Sequence, residues 1–155
     1  MMHVTFAPGG ILKIDGARII HRNFSGAPSK FNREGERNFS IVIDDVDLKD
    51  QLIDDGWNVK VRESEDGGDP FMFLPVKVKF NDRGPKVYLK SAAPKPVELD
   101  LESINCLDNI DIVEVDLDIR PYNWEVNGKT GRTAYLQSIH VVQEIDRFAE
   151  RYNYD

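Results

Sequence analysis

The sequence predicts a mainly β protein of antiparallel strands with one or two short helices, on three observations. Apolar and polar residues alternate at period two through most segments, turn-forming residues interrupt them at short intervals, and no strand-helix-strand succession recurs. A chain of 155 residues is long enough to bury a core as one domain, residues 1–155, with 147–155 as a short C-terminal tail.

Residues 10–14 and 17–24 bracket Asp15-Gly16 and read as a hairpin, and residues 38–43 form a third strand. Residues 45–55 carry Leu48, Leu52 and Ile53 at helical spacing, with acids in the first turn and Gly56 as a stop, which predicts a helix. Strands follow at 57–63, 71–80 and 86–91, separated first by the polar, glycine-bearing loop 63–69. After the proline-containing loop 92–96, residues 103–107 read as a helical turn. A long hairpin, 110–126 and 132–142, then closes on Asn127-Gly128-Lys129-Thr130-Gly131. A five-stranded Greek-key barrel of the OB type fits this count, and a β-sandwich satisfies it nearly as well.

Alternation assigns the faces. In residues 71–80, Met72, Leu74, Val76, Val78 and Phe80 fall on one side and Phe71, Phe73, Lys77 and Lys79 on the other. Residues 86–90 repeat the division, with Val87 and Leu89 inward and Lys86, Tyr88 and Lys90 outward. Lys60 and Arg62 alternate in the same way before them. Cations beside flat rings suit a single strand of nucleic acid, because phosphates need neutralising and unstacked bases need a π surface.

A formal net charge of -7 opposes that reading at first sight. The acids are concentrated, however: residues 98–118 hold eight Asp or Glu and no Lys or Arg, and residues 44–55 hold six Asp against Lys49 alone. The remainder is basic on balance. Screening over roughly 10 Å keeps distant acids from cancelling a local basic groove. A single cysteine, Cys106, excludes an internal disulfide, and three histidines at unrelated spacings suggest no zinc site, so no cofactor is expected. No apolar run suits a membrane span and the N-terminus does not read as a signal peptide, so the expected compartment is the cytoplasm.

Loop 24–37 sets Lys30, Arg33 and Arg37 around Phe31. It reads either as a clamp on a nucleic-acid backbone with Phe31 as a stacking face, or as a surface loop anchored by Phe31 in the core. Tyr122 and Trp124 are open to both base stacking and cross-strand packing, the commoner use of large aromatics in strands. Trp57 follows the helix stop and is expected beneath it. Gly128-Lys129-Thr130 is a hairpin turn rather than a phosphate loop, since a strand follows it, but Lys129 and Arg132 remain candidates for backbone contact. Glu114, Asp116 and Asp118 project from one strand face, which raises a metal-dependent nuclease as an alternative. Solvated acids on a strand explain the same residues.

The succession Asn23-Phe24-Ser25-Gly26, Phe31-Asn32, Arg37-Asn38-Phe39, Asp55-Gly56-Trp57-Asn58-Val59-Lys60, Lys86-Val87-Tyr88-Leu89 and the segment from Arg120 to Gly131 resembles the single-stranded DNA-binding proteins of double-stranded DNA bacteriophages, distant relatives in fold of the T7-type phage protein. The resemblance spans about residues 17 to 148. It implies an OB fold, sequence-tolerant binding of single-stranded DNA, no catalysis, and a role in phage replication or recombination in the host cytoplasm. T7-type proteins end in a strongly acidic tail that recruits replication partners, whereas this sequence ends Glu150-Arg151-Tyr152-Asn153-Tyr154-Asp155. The expected DNA contacts are Lys60, Arg62, Lys77, Lys79, Lys86 and Lys90 for phosphates and Phe71, Phe73 and Tyr88 for bases. The loop residues Phe31, Arg33 and Arg37 and the tip residues Lys129 and Arg132 complete the set. Expected partners are single-stranded DNA and phage or host replication and recombination proteins, with a monomer or small homo-oligomer as the assembly. The competing reading is a non-enzymatic interaction or assembly module that uses the same sheet edges for protein contacts.

Overall fold

The computed structural model describes residues 2–82 and 84–145, and the tail expected at 147–155 lies outside the described residues. The strands are β1 (His3–Phe6), β2 (Leu12–Asp15), β3 (Ile19–Asn23), β4 (Arg37–Ile43), β5 (Lys60–Arg62), β6 (Phe71–Val78), β7 (Lys86–Lys90), β8 (Val97–Leu99), β9 (Ile112–Val126) and β10 (Lys129–Gln143). One α-helix, α1 (Val46–Asp54), and two 3-10 turns, Pro8–Gly10 and Ile104–Asp108, complete the described elements. The protein is mainly β and OB-like, as its alternation predicts.

The strands form one sheet in the order β1-β2-β9-β10-β6-β4-β3, with β5 added to β6, β7 to β10 and β8 to β7. Two of its pairings are parallel rather than antiparallel: β10 receives β6 at Ala134 and Tyr135, then β7 from Ser138 to Val142. The bulge after Leu136 separates the two partners on that edge. The hydrogen-bonded ladder runs from β1 to β3 without closing, a partly open form of the barrel.

The hairpin expected across Asp15-Gly16 does not form. Gly16 N–H donates to Asp116 Oδ1 at 2.9 Å and Ala17 N–H to the Val115 carbonyl at 2.8 Å, so the chain turns onto β9 and β3 goes on to pair β4. The third strand, the helix and the long hairpin lie where expected, and residues 104–108 form the helical turn. The hairpin closes more tightly than 127–131, on the two-residue turn Asn127-Gly128 with φ of 52° and 79°, since Val126 already opposes Lys129. Positive φ at both positions makes this the primed turn that matches strand twist.

Asp45 caps α1 by accepting the Asp47 N–H at 2.9 Å. At the other end Gly56, at φ 95°, lets Gly56 N–H reach the Ile53 carbonyl and Trp57 N–H the Leu52 carbonyl, the double bond of a Schellman stop. That geometry carries Trp57 into the core beside Leu52, and it consumes residues 57–59, which is why β5 starts only at Lys60. The inward residues of β2, β4, β6, β7, β9 and β10 complete that core, with Phe24 stacked on Phe39 at 5.2 Å.

Candidate nucleic-acid interface

Residues directly opposed across a sheet share a face, so the registers trace what the outer surface presents. Phe71, Phe73, Pro75 and Lys77 lie on the outer side of β6. Lys77 is opposed by Asn38 on β4 and Tyr135 on β10, and Tyr135 by Arg120 on β9. Period two then puts Tyr122 and Trp124 beside Arg120 on the same face. Arg120 lies over the Tyr135 ring at 5.1 Å, and Tyr122 meets Tyr135 edge to face at 6.0 Å. Trp124 spreads across Gly131, where a Cβ would stand 2.2 Å from the ring. Tyr122 is 55% exposed and Trp124 39%. Among the described residues, β9 and β10 have no flanking strand beyond Ala134 and Pro121 except one bridge from Trp57 to Arg132, so these rings sit on a two-stranded arm.

A groove of about 610 Å³ runs between the outer side of β6 and the loop before β4, lined among others by Phe31, Arg37, Lys77, Lys79 and Tyr135. Phe31 does not anchor in the core: it is 91% exposed, with Lys30 Nζ 5.6 Å from its ring. The loop that carries it is nevertheless braced. Asn32 Nδ2 lies 2.9 Å from the Ala27 carbonyl and 3.0 Å from the Glu36 carbonyl, and Asn38 Nδ2 donates to Asn32 Oδ1 at 2.9 Å. Asn23 Oδ1 accepts the Ala27 N–H at 2.8 Å, and Asp108 accepts the N–H groups of Phe24 and Ser25 at 2.7 and 3.0 Å. Gly26, at φ 70°, approaches Gly35 so closely that a Cβ would fall 2.9 Å from its backbone, which ties the two limbs of the loop together.

No ion pair among the described residues involves Lys77, Lys79, Arg33, Arg37 or Arg120. Arg37 donates to the Gly35 carbonyl at 3.4 Å, and its buried Nε has no hydrogen-bond partner among the described residues. The groove therefore offers cations not already neutralised by carboxylates, beside rings that are not fully covered. That combination accommodates a flexible polyanion carrying planar groups.

The remaining expected residues divide between two other places. Phe71 is 42% exposed on the outer side of β6, but Phe73 is only 8% exposed. His21 packs edge-on against it at 5.2 Å, Phe71 tilts over it at 5.5 Å, and Arg62 covers it at 6.0 Å. Lys60 and Arg62 are exposed on β5 beside this cluster. Phe73 is thus on the expected face but roofed over.

Lys86, Tyr88 and Lys90 lie farther round the sheet, opposed by Ser138, His140 and Val142 on β10 and, beyond these, by Asp118, Asp116 and Glu114 on β9. Asp15, Asp116 and Asp118 line a small cavity together with Tyr88, so the surface around this ring is acidic. Lys90 Nζ is held by the carbonyls of Ser91 and Ala93. Lys86 alone of the three shares a cavity with Arg120. At the arm, Lys129 is exposed at the tip, whereas Arg132 points to the opposite face from Trp124 and is engaged by Asp55 and Trp57.

Sequence reasoning missed Arg120 and Tyr135. Tyr135 joins the row only through the brief parallel pairing of β10 with β6, which no local pattern encodes. Arg120 was legible as the first member of the alternation Arg120, Tyr122, Trp124. The carboxylates Glu114, Asp116 and Asp118 form a line along β9, and among the described residues no three His, Cys, Asp or Glu side chains are grouped to hold a metal ion.

A family described as "Putative phage ssDNA-binding domain" matches residues 1–154. The chain belongs to this family of phage single-stranded DNA-binding domains. The solved single-stranded DNA-binding protein of bacteriophage Enc34 in complex with ssDNA has the same fold, with a TM-score of 0.58 at 12% identity, covering 94% of this chain and 93% of that one. A second structure of the Enc34 protein gives a TM-score of 0.56 at 13% identity, over 98% of this chain and 90% of the other. No curated protein matches the chain. The family is the one that the sequence resembles, and the match extends over almost the whole chain.

Proposed function

We propose that this member of the phage family binds single-stranded DNA along the groove beneath Phe31 and onward over Tyr135, Arg120, Tyr122 and Trp124. In this reading Lys77, Lys79, Arg37 and Arg120 neutralise phosphates, and Phe31, Tyr122 and Trp124 stack on bases. Lys60, Arg62 and Phe71 extend the path at the far end of β6. The observation that carries the reading is the exposed Phe31 on a braced loop, facing cations that form no ion pair with a described residue. Backbone and stacking contacts read no base edges, so binding is sequence-tolerant. The Enc34 protein of the same fold was solved with ssDNA, which agrees with this use of the fold.

The chain acts without catalysis, in phage DNA replication or recombination in the host cytoplasm. No described helix is long and apolar enough to cross a membrane. The deciding experiment is a fluorescence titration with oligo-dT and with a duplex of equal length, each at low and moderate salt. Tight, salt-sensitive binding to the single strand alone is expected, and Phe31→Ala should weaken it by about 1 kcal/mol or more without lowering the melting temperature. Equal binding to duplex, or none at low salt, would overturn the reading.

A further inference from the structure

Arg132 sits at the base of the arm, on the side opposite Tyr122 and Trp124. Its guanidinium carbon lies 5.2 Å from the Trp57 ring centroid, its Nε donates to Asn123 Oδ1 at 2.8 Å, and its Nη1 stands 3.2 Å from Asp55 Oδ2. The same Asp55 oxygen accepts the Trp57 indole N–H at 2.9 Å. The Schellman stop at Gly56 thus delivers an acid and a ring to one point, where the carbonyl end of α1 also favours a cation. Asn123 is the cross-strand partner of Arg132, so this contact spans both strands of the arm.

Resting on the proposed DNA-binding reading, we infer that Arg132 is a positioning residue rather than a phosphate contact: with Asp55 and Trp57 it fixes the arm so that Tyr122 and Trp124 continue the groove. Among the described residues, the arm beyond Ala134 is otherwise tied to the body of the protein by one backbone bridge, between Trp57 and Arg132. An unheld two-stranded ribbon is marginal in water. The side chain is 20% exposed, and its fully buried Nη1 is held by Asp55 through charge rather than a hydrogen bond, which leaves little of it available to DNA.

The two roles predict opposite signs for one substitution. If Arg132 contacted phosphate, Asp55→Asn would release it and tighten binding. As a positioning pair, Asp55→Asn should weaken oligo-dT binding by about three- to tenfold, the scale of a misplaced stacking ring. The slope of log affinity against log salt should stay as in the wild type, and the loss should disappear when Tyr122 and Trp124 are both alanine. Arg132→Lys keeps the charge without the planar fork and should show the same loss with the same slope. The full chain is titrated with oligo-dT across a salt series, with a thermal melt of each variant. Should Asp55→Asn fail to fold, Arg132→Lys in the two backgrounds decides. Tighter or unchanged binding by Asp55→Asn, a slope lower by about 0.7 in Arg132→Gln, or full binding by Arg132→Lys overturns the inference. A wild-type protein that does not bind oligo-dT at all would instead sink the DNA-binding reading itself.

Discussion

The outer side of β9 carries two chemistries end to end. Glu114, Asp116 and Asp118 occupy one half, and Arg120, Tyr122 and Trp124 the other, at the same spacing of two residues on the same strand. The acidic half shares a cavity with Tyr88 and His140, and the basic and aromatic half adjoins Tyr135, which lines the groove beneath Phe31. The strand geometry does not distinguish them. What differs is the neighbour supplied across the sheet: β7 beside the acids, β6 with Lys77 beside Arg120. A net charge of -7 is therefore compatible with an anion-binding groove, since most of the excess is held on other surfaces.

The contrast is broken most severely by removing its aromatic half. Tyr122→Ala combined with Trp124→Ala should cost about 1–3 kcal/mol of oligo-dT binding for each ring that stacks, read by titration, with little loss of stability because both rings are exposed. Gly131→Ala should cost roughly as much as losing Trp124 alone, because the new methyl occupies the ring's resting place; binding equal to wild type would mean that the ring is not used where it lies. Lys77→Gln tests charge without touching a ring: the salt slope should fall by about 0.7 while stability is unchanged. The smallest effect belongs to the acidic half. Asp116→Asn with Asp118→Asn should tighten binding less than about threefold at low salt and leave it unaltered at moderate salt, because these acids bear on the groove only through the screened field. A large gain would show that DNA also passes over that half.

Legibility followed the range of the signal. The cap at Asp45 and the stop at Gly56 lie within two residues of the helix they bound, so α1 was readable, as were β6, β7 and the long hairpin from their alternation. The hairpin at Asp15-Gly16 misled because its turn residues are real but serve a different partner: Gly16 bonds Asp116, one hundred positions away. β1 and β8 escaped notice as short strands with little buried surface. For the site, alternation correctly placed Phe73 and Tyr88 on outer faces but says nothing of what covers such a face. His21 reaches Phe73 from a kink at φ 53° in β3, and the acids of β9 reach Tyr88's surroundings across β10. Trp124 was open to packing because strand aromatics usually pack. Here it does pack, on a glycine that leaves the rest of the ring in solvent.

The asparagine brace under Phe31 bears on the kinetics of association. A loop that must first be ordered loses part of its contact energy to that ordering and slows capture by the fraction of time it spends competent. With Asn23, Asn32 and Asn38 already holding the backbone, Phe31 is presented before any strand arrives. On the proposed path, encounter would then be governed by diffusion and electrostatic attraction, and successive stretches of DNA would be taken up and released without reordering this loop each time.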